Sequence, residues 1–190
     1  MNRSTSGPPM RTRGSLALIV VVLAASAFAQ KPARQPDMYF AGTPQPVVDA
    51  MLKLARVTAA DVVYDLGSGD GRIVVLAAQK YGARGVGIEI QPRLVAISRE
   101  VAREGGVADR VTFIEGDLFT ENIAPATVVM LWLSKSVNAE LEPKLRRELR
   151  PGTRIVSHQF PIGNWMPDAT VRAEYDGTDL FLWKVPPRPK

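Results

Sequence analysis

A chain of 190 residues and 20.7 kDa holds one domain and leaves little room for a second. With 46% hydrophobic and 23% charged residues it reads as globular, which excludes disordered, collagen-like and coiled-coil classes. No cysteine and one histidine, His158, exclude a disulfide scaffold, a zinc–cysteine site, an iron–sulfur cluster and a multi-histidine metal centre.

The net charge of +5 invites a nucleic-acid reading until its location is examined. Arg3, Arg11 and Arg13 precede an unbroken small-or-apolar run, Leu16 to Ala27, which closes on Ala27-Phe28-Ala29. A basic start, an apolar stretch and an A-x-A site are the parts of a secretory signal peptide. The run is short of the ~20 apolar residues that span a bilayer. Residues 1–29 therefore read as a signal peptide cleaved after Ala29, with an uncleaved membrane anchor or translation from a later start such as Met38 as alternatives. Cleavage predicts a periplasmic or secreted protein; a start at Met38 predicts a cytoplasmic one. Because residues 1–29 hold three arginines and no acid, removing them lowers the charge from +5 to +2. Charge then gives no reason to expect nucleic acid.

Residues 30–42 are a Pro-rich lead-in, residues 43–185 the domain and residues 186–190 a tail. Thr43 before Pro44 predicts an N-cap, followed by a helix with Val47, Val48, Met51, Leu52, Leu54 and Ala55 on its apolar side. Asp61 opens a short buried strand, VVYDLG. Helices are expected over Arg72–Tyr81, ended by Gly82, and over Pro92–Glu104. Strands are expected over 85–90, 110–117, 127–133 and 154–160, with a helix from Val137 to Leu149. VRAEY, the Asp176-Gly177 turn signal and DLFLWKV suggest a closing antiparallel hairpin. Strands that alternate with helices predict right-handed βαβ units. The expected fold is α/β: a Rossmann-like, doubly wound, mostly parallel seven-stranded sheet with a C-terminal antiparallel hairpin.

Such sheets bind ligands beyond the carboxyl ends of their strands. The first strand ends in Asp65-Leu66-Gly67-Ser68-Gly69-Asp70-Gly71-Arg72 and runs directly into a helix. The glycines read G-x-G-x-G, one residue short of the dinucleotide spacing G-x-G-x-x-G. Asp65 and Asp70 would also turn negative charge toward a pyrophosphate. A cofactor that carries an ammonium and a sulfonium suits those acids better.

VVYDLGSGDGR resembles the first motif of class I S-adenosylmethionine-dependent methyltransferases. YDLGSGDGRIVVLAA, GVGIEIQPRLV, GDLF, PKLRRELRPGTRIVSHQFPIGNW and DLFLWKV are similar to one lineage within them. It contains bacterial methyltransferase-domain proteins and the mitochondrial protein-lysine methyltransferases that act on ATP synthase c-subunit or electron-transfer flavoprotein. The resemblance spans roughly residues 36–185. It implies that Gly67, Gly69 and Gly71 let the methionine part of S-adenosyl-L-methionine lie against the backbone. It further implies that Asp65 faces the cofactor ammonium, that Glu89 accepts both ribose hydroxyls, and that Asp117 and Leu118 hold the adenine. YFAGT, residues 39–43, departs from the YVPTP of similar chains.

The acceptor implied by the resemblance is a protein lysine, methylated by direct displacement. A different small-molecule acceptor on the same scaffold and an exported binding module without turnover are the alternatives. The segment after the fourth strand, Leu131-Trp132-Leu133-Ser134, lacks the Asn/Asp-Pro-Pro-Tyr signature of amino-group DNA methyltransferases. Trp132 is a candidate wall for a lysine channel and His158 a candidate general base, while Asn164 and Trp165 are candidates for the substrate rim. Each of these four also has a purely structural reading. A membrane partner is expected only if residues 15–29 stay uncleaved.

Overall fold

The computed structural model describes Met1 and residues 41–188; the expected signal segment, Met38 and most of the lead-in lie outside the described residues. The chain runs through α1 (Gln45–Leu54), β1 (Val62–Leu66), α2 (Arg72–Tyr81), β2 (Arg84–Glu89), α3 (Pro92–Glu104) and β3 (Val111–Glu115). It continues through β4 (Val128–Leu131), α4 (Lys135–Glu148), β5 (Arg154–His158), β6 (Ala169–Arg172) and β7 (Asp179–Lys184). One 7-stranded sheet has the order β3-β2-β1-β4-β5-β7-β6. Strands β1 to β5 pair in parallel, and β7 pairs antiparallel with both β5 and β6.

The strand order reverses between β1 and β4, because the chain winds outward to β3 and then returns to the other side of β1. Crevices form at such a reversal, beyond the carboxyl ends of the strands. Two apolar clusters show that helices cover both faces. One unites α1, α2 and α3 with Val63, Phe113, Met130, Val156 and Leu180. The other unites α4 with Leu66, Ile88, Val129, Ile155 and Trp183. Leu141 and Leu145, one helical turn apart on α4, are both fully buried there, each contributing about 1.5–3 kcal/mol by burial.

Local chemistry explains the element ends. Gly82 closes α2 in the left-handed conformation, φ 68°. Pro92 stands at the first position of α3, where its missing N–H costs no bond. Four sequence-based expectations are corrected. Pro44, not Thr43, occupies the N-cap of α1, which has no side-chain cap. The helix after β4 starts at Lys135, not Val137, because Ser134 Oγ accepts from the Val137 N–H and caps it. The strand expected over 127–133 stops at Leu131, leaving Trp132 and Leu133 beyond the sheet. The Asp176-Gly177 turn is longer than a tight hairpin: residues 173–178 form a loop in which Gly177 N–H donates to Ala173 O at 2.9 Å.

Candidate active site

At the end of β1 the chain doubles back over β2. The N–H groups of Gly67 and Ser68 both donate to Ile88 O, at 2.8 and 3.0 Å. Gly67, Gly69 and Gly71 all take positive φ, 79°, 55° and 79°, so the loop uses backbone that other residues rarely adopt. α2 starts immediately after Gly71, which has no side chain to cap it, and the first N–H of the helix, on Arg72, donates to Asp70 Oδ1 at 3.3 Å.

Around this loop lies an open cleft whose wall includes Asp65, Gly67, Ser68, Glu89, Asp117 and Leu118. Glu89, 6% exposed at the end of β2, is oriented by backbone alone. Its Oε2 accepts from Gly69 N–H at 3.0 Å and its Oε1 from Gln91 N–H at 2.9 Å. Asp117 follows β3, and its Oδ1 accepts from Phe119 N–H at 2.9 Å. Asp65 on β1 is 2% exposed, and among the described residues no donor reaches its carboxylate. Burial, with Glu89 and Asp70 nearby, pushes its pKa up to about 8. Two buried acids, with no cation between them among the described residues, are a site suited to a cationic ligand.

Several expected roles are redistributed. Gly71 does not line the cleft: a Cβ there would meet Phe113 and Ser98, so its lack of a side chain serves the packing of α2 on β3 and α3. A Cβ on Gly67 would come 2.8 Å from Leu133 Cδ2, itself in the cleft wall. Gly69 acts through its N–H on Glu89. Asp70 is not a free acid, because Arg72 Nη2 pairs with it at 2.6 Å and Arg72 Nε at 2.9 Å.

Trp132 lines the cleft with Leu133 and Val137, whereas His158, Asn164 and Trp165 do not. Asn164 is exposed. Trp165 packs into the second apolar cluster, its carbonyl accepting from Trp183 Nε1 at 2.9 Å and Arg146 lying over its ring. His158 is buried behind Trp132.

Sequence reasoning missed one tie that holds the entrance. Arg72 reaches back to the residue that opens the domain, donating from Nη1 to Thr43 O at 3.0 Å. A Cβ on Gly42 would collide with its guanidinium. The glycine of AGT, part of the departure noted in the lead-in, makes room for this clamp.

A crystal structure of an RNA methyltransferase from Salinibacter ruber, in complex with S-adenosylhomocysteine, is 54% identical, with a TM-score of 0.75 over 79% of this chain and 97% of that one. A protein-lysine N-methyltransferase from Saccharolobus islandicus is 41% identical over 140 residues, 73% of this chain and 87% of the relative. The ATP synthase c-subunit lysine N-methyltransferase of Xenopus laevis is 33% identical over 172 residues, 87% of this chain and 75% of the relative. Fold and relatives together make this a class I, S-adenosylmethionine-dependent methyltransferase. The chain belongs to the ANTKMT methyltransferase domain family, whose model matches residues 65–169.

Proposed function

We propose that this enzyme methylates the side-chain amine of a protein lysine, with the cofactor seated on Asp65, Gly67, Gly69, Glu89, Asp117 and Leu118. The observation that carries the seat is the pair of buried acids, Asp65 and Glu89, at the carboxyl ends of adjacent strands. Bound S-adenosylmethionine supplies a methyl group on a sulfonium centre. Asp65 receives the ammonium, a cation that offsets the cost of burying its charge. Glu89 keeps lone pairs for two ribose hydroxyls while its orientation is held by two N–H donors. Leu118 offers an apolar face to the adenine ring, and Asp117 an acceptor for its amino group.

The lysine acceptor is supported by the named relatives from Saccharolobus islandicus and Xenopus laevis. An ammonium with a reference pKa of ~10.4 must lose its proton before its nitrogen can attack. Leu133, Val137 and the Trp132 indole give the cleft an apolar side, and desolvation favours the neutral amine. The chain's own task is alignment in a dry cavity.

A second reading, RNA methylation, has one observation in its favour: the name of the 54% identical Salinibacter ruber protein. Methyl-labelled cofactor offered with a cell extract separates the two. Label that resists ribonuclease, yields to protease and is recovered as methyllysine supports the lysine reading; label in RNA overturns it.

We also propose that residues 1–29 direct export. The order of arginines, apolar run and Ala27-Phe28-Ala29 supports this. N-terminal sequencing after cell fractionation should find Gln30 first in the periplasmic or secreted fraction; a cytoplasmic protein starting near Met38 would overturn it.

A further inference from the structure

A chain of contacts approaches the cleft from the C-terminal hairpin. Leu66 pairs with Leu131, and Leu131 with Ser157, so Gly67 and Trp132, just past their strands, and His158, the last residue of β5, form the next row. The Trp132 indole and the His158 imidazole have centroids 5.2 Å apart and planes inclined by 33°. His158 Nε2 lies 2.7 Å from Thr178 Oγ1 and 3.4 Å from Asp176 Oδ2. Thr178 Oγ1 donates to Asp176 Oδ1 at 2.6 Å, since an ionised carboxylate only accepts. The hydroxyl, its one proton used, must accept from His158. That assigns the imidazole proton to Nε2 and leaves Nδ1 with a lone pair, buried and without a partner among the described residues. Burial lowers the imidazole pKa against the opposing pull of Asp176, so the ring is neutral near neutral pH.

We propose that His158 is a positioning residue for the methyl acceptor: pinned by Thr178 and Asp176, it holds the Trp132 indole as the wall along which an alkylammonium chain enters the cleft. The proposal rests on the amine-acceptor reading above. An indole face attracts an alkylammonium, and that attraction depends on the direction the face presents. A neutral imidazole behind the indole leaves this attraction to the acceptor, where an imidazolium would compete for it. The pin is itself ordered, because Ala173 N–H donates to Thr178 O at 2.8 Å and Thr178 N–H to Asp176 Oδ1 at 3.0 Å.

The test is fluorine NMR on the full chain labelled with fluorotryptophan, with the Trp132 signal assigned through Trp132→Phe and n-butylammonium as the probe. In the wild type the probe should move the Trp132 signal and leave the buried Trp183 signal in place. His158→Ala should shift or broaden the Trp132 signal before any probe is added and weaken probe binding about fivefold. His158→Gln, which keeps an N–H within reach of Thr178, should recover most of that loss. Trp183 reports whether the core survives; should His158→Ala disturb it, Thr178→Val cuts the same pin nearer the surface and should show the same loss. Probe binding that is unchanged in the folded variants overturns the positioning role while the amine reading stands. A wild-type Trp132 signal that ignores n-butylammonium overturns both.

Discussion

Gly69 donates its N–H to Glu89 Oε2 at 3.0 Å, which ties the glycine loop after β1 to the acid that ends β2. Removing that acid therefore does two things. Glu89→Ala should weaken S-adenosylmethionine by about 1.5–3 kcal/mol, the range for a hydrogen bond to a charged group. It also strands the N–H groups of Gly69 and Gln91, so the melting temperature of the cofactor-free protein should fall as well. Calorimetry and thermal melts report the two effects separately, and unchanged affinity in a folded variant would remove Glu89 from the seat.

Gly69 and Gly71 should fail differently. Gly69→Val puts a branched side chain on left-handed backbone, displaces the N–H that orients Glu89 and should abolish cofactor binding. Gly71→Ala forces a methyl group against Phe113 and Ser98 in the core, which should destabilise the fold by about 1–3 kcal/mol through overpacking. Left-handed backbone adds roughly 1–2 kcal/mol to that cost. Urea unfolding of Gly71→Ala reads the loss; wild-type stability would show that α2 can shift to admit the methyl group.

With the cofactor ammonium on Asp65 as proposed, cofactor binding should depend on pH. With its pKa near 8, it is protonated in the cofactor-free protein at neutral pH. An arriving ammonium favours the ionised form, so binding should release a proton, and affinity should rise with pH until about 8. Asp65→Asn should flatten that rise and bind more weakly. Titration calorimetry in buffers of different ionisation heat counts the proton, and buffer-independent heats would contradict the assignment.

The same shift has a stability consequence of opposite sign. The folded pKa of Asp65 is raised above the unfolded value of 3.8, so the folded state holds the proton more tightly. That stabilisation is full below the unfolded value and is lost as pH rises through about 8. Asp65→Asn should therefore gain stability over the cofactor-free wild type on the alkaline side, as chemical denaturation at a series of pH values can establish.

Asp61 behaves in the other direction. Burial raises its pKa, but hydrogen bonds from Thr127 and Thr58 and the charge of Arg154 outweigh burial and hold it below 3.8. Its stabilisation is present above that value and lost as pH falls through the lowered folded pKa. Arg154→Ala frees the carbonyls of Ala55 and Arg56 as well as Asp61, and should cost about 1.5–3 kcal/mol in urea unfolding at neutral pH.

What could be read from the chain follows how locally each feature is encoded. The limits of α2 and α3 were legible because Gly82 and Pro92 mark them within one turn. Asp65, Glu89 and Asp117 were legible as acids at the ends of apolar runs. The packing role of Gly71 was not legible because its partners, Phe113 and Ser98, come from other elements and leave no mark in the glycine spacing. The clamp of Arg72 on Thr43 and the contact of His158 with Thr178 are likewise tertiary. The latter depends on the antiparallel register that sets His158 opposite Leu180. Trp132 was expected within a strand because it continues an apolar run, yet the pairing of β1 with β4 ends at Leu131.

The antiparallel β6–β7 pair lies at the far edge of the sheet from β1, β2 and β3, which carry the acids. Its connecting loop reaches the cleft through His158 and Trp132. The proposed seat of the methyl donor and the proposed wall for its acceptor are thus encoded in separate stretches of chain. On the proposed positioning role of His158, substitutions within residues 173–178 should alter how the acceptor is held and leave Asp65, Glu89 and Asp117 in place.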